Sequence, residues 1–175
     1  MKGRSSPTLT GREQSCLRDT LRQLLDRFAG EGWWTSTTSA VPRVALRARI
    51  RRLGRVELRT ALLDTLSAIA HGDRSGAAQA LVRYADTTIR RRAYASAEPV
   101  LEAAQLVLER HDDSAVSYVM ERIGLCRRRQ GKASTAASYF VAAAVLAALN
   151  SESRVEHRAI AGARAILAAE RQAAA

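Results

Sequence analysis

Lysine is almost missing from this 175-residue chain, where two lysines stand beside 26 arginines. Aromatic residues are scarce too, with two Phe, two Trp and four Tyr. Few rings therefore interleave with the cations, which argues against a nucleic-acid surface built on base stacking. Only three prolines interrupt the chain, and its common residues (Ala, Leu, Arg, Glu) favour helix. The two cysteines, Cys16 and Cys126, are far apart, and neither has a Cys or His at metal-ligand spacing. They read as free thiols of a reduced cytoplasm.

Long apolar runs are absent as well. The longest, Tyr139 to Leu149, is about half of the ~20 residues that cross a bilayer. The start, MKGRSSPTLTGREQ, lacks the apolar stretch that follows the basic residues of a secretory signal. These absences predict a soluble cytoplasmic protein with no membrane span.

Catalytic patterns are missing too. His71, His111 and His157 are isolated, and HDDS after Arg110 suits helix capping, with Asp113 or Ser114 as the cap. There is neither a phosphate-binding glycine loop nor a nucleophile elbow. No catalytic residue, metal site or cofactor is expected.

What the chain does contain is helical periodicity in an amount suited to one compact domain, with 47% apolar residues to fill a core. Leu17, Leu21, Leu24, Leu25 and Phe28 form a first stripe that Gly30 closes. The loop GEGWWTSTTSAVP follows, its paired tryptophans reading as a plug over the core edge. Arg43 to Ala70 is helical with a break at Gly54, HGDRSG (71–76) is a connector, and a helix runs from Ala77 to about Arg91. Ser96 is the expected N-cap of the next helix, with Pro99 in its first turn. Another helix, striped by Val116, Val119, Met120 and Ile123, ends at Gly131. Ala133 to Leu149 reads as a buried helix, and Arg154 to Arg171 as the last. The expectation is an all-α fold of seven or eight antiparallel helices. It divides into an N-terminal helix and Trp loop (1–42) and a helical-repeat region (43–175).

Two stretches superpose without a gap at a step of 39 residues. They are Leu81-x2-Tyr84-Ala85-x2-Thr88…Ala97-x3-Leu101-x2-Ala104 and Met120-x2-Ile123-Gly124-x2-Arg127…Ala136-x3-Phe140-x2-Ala143. The second resembles the tetratricopeptide repeat, with Ile123-Gly124 for Leu-Gly and Ala136-x3-Phe140 for Ala-x3-Phe. Gly124 and Ala136 would let two helices approach, and Phe140 would fill the space beside them. Met120 and Arg127 stand where the family has Trp and Tyr, the closing Pro is Ala148, and the period is longer than about 34. The resemblance covers about residues 77–148 and implies helical hairpins stacked as a short solenoid.

A shorter likeness lies at the start. Leu9-Thr10-Gly11-Arg12-Glu13 resembles the opening of a LuxR-type helix-turn-helix over about ten residues. A turn and a recognition helix have to follow, whereas one long helix continues here to Phe28. A Thr-capped acidic first turn accounts for the motif equally well.

The net charge of +11 favours acidic partners. Ala- and Arg-rich usage is also common in high-GC bacterial genomes, so a compositional origin stays open. The family resemblance implies that first helices line a groove, into which Arg90, Tyr118, Arg128 and Arg129 would look. The implied ligand is an acidic peptide or protein segment, held by guanidinium forks in a non-enzymatic adaptor or chaperone-like protein. The second choice is a nucleic-acid-binding regulator using the basic segment RVALRARIRRLGRVELR, with Arg47, Arg49, Arg51, Arg52 and Arg55 as contacts.

Overall fold

The computed structural model describes residues 9–29, 42–109 and 115–174. Eight helices and no strand occur among them: α1 (Gly11–Phe28), α2 (Arg43–Arg51), α3 (Val56–His71), α4 (Arg74–Arg90), α5 (Tyr94–Leu108), α6 (Ala115–Arg129), α7 (Ala133–Leu149) and α8 (Ser153–Ala174). The fold is all-α, with neighbouring helices packed in contact. The tryptophan loop, Gly30 and the HDDS cap lie outside the described residues.

Local chemistry explains most boundaries. Thr10 and Glu13 form a reciprocal capping box, in which the Thr10 amide donates to Glu13 Oε2 at 2.9 Å and the Glu13 amide to Thr10 Oγ1 at 3.3 Å. The L-T-x-R-E opening is thus the cap of one helix that continues to Phe28. Gly72 closes α3 in the left-handed conformation (φ 70°), which costs a glycine nothing. Gly131 does the same after α6 (φ 79°).

Three expectations are corrected. Asp73 caps α4 by accepting from the Gly76 amide at 2.8 Å, so α4 starts at Arg74 and the connector shrinks to two residues. Ser96 is not an N-cap, because α5 begins at Tyr94 after Ala93. Pro99 accordingly falls in the second turn, where it offers no amide to the Ala95 carbonyl. Finally, α7 is only half buried. Its inner residues Ala136, Phe140, Ala143 and Ala147 are covered, but Val141 (56% exposed), Val145 (55%) and Leu149 (75%) face solvent. The cause is coverage: α1 lies across α3 and α5, and no described helix reaches the outside of α7.

Packing follows chain order, with α3 through α8 each lying against the next. Short connections make neighbours antiparallel. The main core holds large side chains such as Leu24, Leu58, Leu62, Leu81, Leu101 and Ile123. A second, smaller cluster of Ala136, Phe140, Ala143, Ala159 and Ile166 fastens α7 to α8. Phe140 is held between two glycines. A Cβ on Gly124 would lie 3.1 Å from the ring, and one on Gly162 would lie 2.7 Å from it. The expected close approach of α6 and α7 at Gly124 is therefore present, and Gly162 brings α8 against the same ring.

Candidate partner-binding surface

Because neighbours are antiparallel, the ends of α4 and α6 meet the beginnings of α1, α3, α5 and α7. Ion pairs mark that shared edge. Arg91, just past α4, reaches Glu57 in the first turn of α3 at 2.5 Å. Arg127 near the end of α6 reaches Glu98 (2.9 Å) and Glu102 (2.8 Å) on α5, and Lys132 before α7 joins Glu98 at 3.1 Å. Arg55, before α3, reaches Glu13 on α1 at 3.3 Å. Arg55, Arg91 and Arg127, one from each arginine-rich segment of the sequence, thus lie along one edge of the helical array.

Within the triplet 127–129 the roles differ. Arg127 is a seam residue: it holds two glutamates and lies 4.4 Å over the Tyr139 ring. Arg128 is half-buried and Arg129 exposed, and neither has a hydrogen-bond or ion-pair partner among the described residues. Arg90 is exposed and donates to Thr87 Oγ1 at 3.0 Å. Tyr118 is elsewhere. It sits in the first turn of α6, ten residues and about 15 Å of helix rise before Arg128. Its hydroxyl donates to Asp86 on α4 at 2.6 Å, while Arg122 and Arg158 lie over its ring at 4.8 and 5.8 Å. Burial raises its pKa, and the bond to Asp86 adds to the rise. No contact joins Tyr118 to Arg90, Arg128 or Arg129.

The basic segment on α2 is split in the same way. Arg49 bonds Asp19 and Ser15, each at 2.9 Å, and Arg55 bonds Glu13, so both tie α2 and the α3 start to α1. Arg47, Arg51 and Arg52 are exposed without a partner among the described residues.

Sequence reasoning missed the acids that sort these arginines. Glu98 is 8% exposed and takes Arg127, Gln130 and Lys132 together. Glu98 and Glu102 stand four apart at the start of α5, a spacing that puts both on one helix face. That spacing was the available signal.

Two openings lie beside the edge. A cleft of about 250 Å³ runs between α1 and the start of α5, lined by Leu9, Leu17, Leu21 and Pro99, with Arg18 and Ser96 at its sides. A recess of about 20 Å³ adjoins it through Leu9 and Ser96 and is lined by Arg55, Arg91, Tyr84 and Thr88.

No group of three or more His, Cys, Asp or Glu suited to a metal occurs among the described residues. His71 and His157 each bond a carbonyl one turn back in their own helix, at 2.8 and 2.6 Å; His111 lies outside the described residues. No helix among the described residues is long and apolar enough to cross a membrane. Both cysteines are buried, and burial pushes the Cys126 thiol up to about 12. The thiolate is the reactive form, so a thiol-exchange reagent at pH 8 should titrate neither cysteine in the folded protein and both in denaturant. Rapid native labelling would contradict this packing.

Comparison with protein-family models, with curated proteins and with solved structures finds no match to this chain.

Proposed function

We propose that this chain is a non-enzymatic adaptor or chaperone-like protein of the bacterial cytoplasm, built of tetratricopeptide-like hairpins. It binds an acidic or amphipathic segment of a partner protein through arginines. One observation carries the reading: Arg90, Arg128 and Arg129 stand at a single edge with no carboxylate partner among the described residues, beside arginines that the fold has already neutralised. Unpaired guanidiniums keep their forks for an incoming carboxylate. The hairpin likeness is supported by Gly124 and Ala136 meeting Phe140, as in the repeat pattern.

The Arg128→Glu/Arg129→Glu protein is expected to fold normally and to lose the partners that the parent captures from lysate, by at least tenfold. Undiminished capture would count against the edge. Exposed Arg47, Arg51 and Arg52 support the second reading, contact with nucleic acid. Changing all three to Glu should flatten the salt dependence of DNA or RNA binding if that reading holds. Binding that is no tighter than that of other equally basic proteins, and indifferent to sequence, would remove it.

A further inference from the structure

The cleft between α1 and α5 and the recess beside it combine two chemistries. The cleft wall is Leu9, Leu17, Leu21 and Pro99, and its volume of about 250 Å³ is ample for one large side chain. A cavity of about 150 Å³ already takes benzene. The recess has room for little more than one water, so an acidic group would stay at its mouth, in reach of Arg55 and Arg91. Arg91 spends only part of its five-donor fork on Glu57, and Arg55 is held by Glu13. Cations without a carboxylate partner among the described residues stand nearby: Arg18 on the cleft wall, and Arg90 and Arg92 on either side of Arg91.

Pro99 is the least expected part of this wall. A proline in the second turn of a helix forfeits a backbone hydrogen bond, yet its ring supplies apolar surface where α5 faces α1. The main core around it needs no such residue, since Val100, Leu101, Ala103 and Ala104 already fill the inner side of the helix.

We infer that the α1–α5 cleft is the anchor site for an acidic partner segment: one leucine- or phenylalanine-sized side chain enters between Leu17, Leu21 and Pro99, and flanking carboxylates meet Arg18 and Arg91. The inference rests on the adaptor reading and deepens it, by naming a pocket and the residue type that fills it. Charge complementarity selects the occupant. A lysine-rich segment would bring like charge to the rim, and an oligonucleotide would bring phosphates to the rim but only bases with polar edges, and no aliphatic side chain, to the apolar wall.

The test uses fluorescence anisotropy with a labelled peptide pool in which one Leu, Ile or Phe is flanked on each side by two Asp or Glu. Controls are the pool with Ser at the central position, a lysine-flanked pool, and a single-stranded oligonucleotide of similar charge. The full-length protein is expected to bind the acidic pool best and to bind the Ser pool at least tenfold more weakly. Arg18→Glu alters an exposed side chain and should weaken the acidic pool about five- to tenfold. Pro99→Ala should weaken it severalfold while leaving the protein folded, because it restores a backbone donor. Equal binding of the Ser or lysine pool would overturn the anchor site, as would an oligonucleotide that binds with the same sensitivity to Arg18→Glu and Pro99→Ala. Binding unchanged in both variants but lost in Arg128→Glu/Arg129→Glu would also overturn the cleft and leave the adaptor reading standing. No binding of the acidic pool by the parent protein would overturn the anchor site, and lysate capture would then judge the adaptor reading by itself.

Discussion

The Phe140→Ala protein is expected to lose about 3–5 kcal/mol of unfolding free energy, the usual cost of removing a buried phenylalanine. Domains of this size hold about 5–15 kcal/mol in total, so the loss would be a large share. The other buried members of its cluster are three alanines and Ile166, with Met120 and Leu125 packed at the margin, so little buried side chain is at hand to fill the space. The two glycines let the ring of α7 touch both α6 and α8, and its removal should loosen α8 first. Outside this cluster, Arg158 on α8 pairs with Glu121 at 3.3 Å, and Glu152 just before α8 accepts from Ser117. Urea denaturation followed by circular dichroism gives the total loss, and hydrogen exchange shows whether α8 opens before the rest. Gly162→Val should be comparably damaging, since even its first carbon would meet the ring at 2.7 Å. In Phe140→Ala/Gly162→Val the added side chain enters the vacated space, so the double variant should be more stable than the sum of the two losses predicts. A loss below about 1 kcal/mol in Phe140→Ala would mean that α8 does not depend on this ring.

Glu98→Ala is the second large effect. It strips Arg127, Gln130 and Lys132 of a common acceptor at the junction of α5, α6 and α7. Removing one partner of a fully buried pair costs about 3–5 kcal/mol. Arg127 keeps 19% and Lys132 51% of its side-chain exposure, and Glu102 still holds Arg127, so about 2–3 kcal/mol is expected here. The pH dependence gives an independent check. Burial pushes the Glu98 carboxyl up, but the bonds from Gln130, Arg127 and Lys132 outweigh it and hold the group below its ordinary value of 4.5. A carboxyl lowered on folding stabilises the folded state fully above its unfolded value, and that contribution is lost as pH falls through the folded one. Stability of the parent should therefore drop on acidification below about pH 4.5, with a shallower drop in Glu98→Ala. Parallel acid limbs in the two proteins would refute the assignment of this group.

The helices were legible because their signals are local. Thr10 with Glu13, glycines after α3 and α6, and apolar residues at helical spacing each act within a few residues of one another. Ser96 misled because it has the right type for a cap, whereas the start of α5 is set by the turn at Arg92 and Ala93. Burial of α7 was misjudged for a different reason. Its composition is apolar all round, and composition does not say which helices lie beside it.

The arginines divide along the same line. By itself, the sequence determined an all-helical chain of high positive charge, with cations clustered at helix ends, a short internal repeat and no recognisable catalytic motif. These properties follow from composition and from spacing along the chain. Only the tertiary structure decided which cations are neutralised and which stay unpaired. Arg127, Arg49 and Arg55 meet carboxylates 25 or more residues away, and Arg128 and Arg129 meet none among the described residues. Adjacent arginines look alike in sequence, and a helix turns each by about 100° from the last. The acids they meet depend on which helices the core brings side by side.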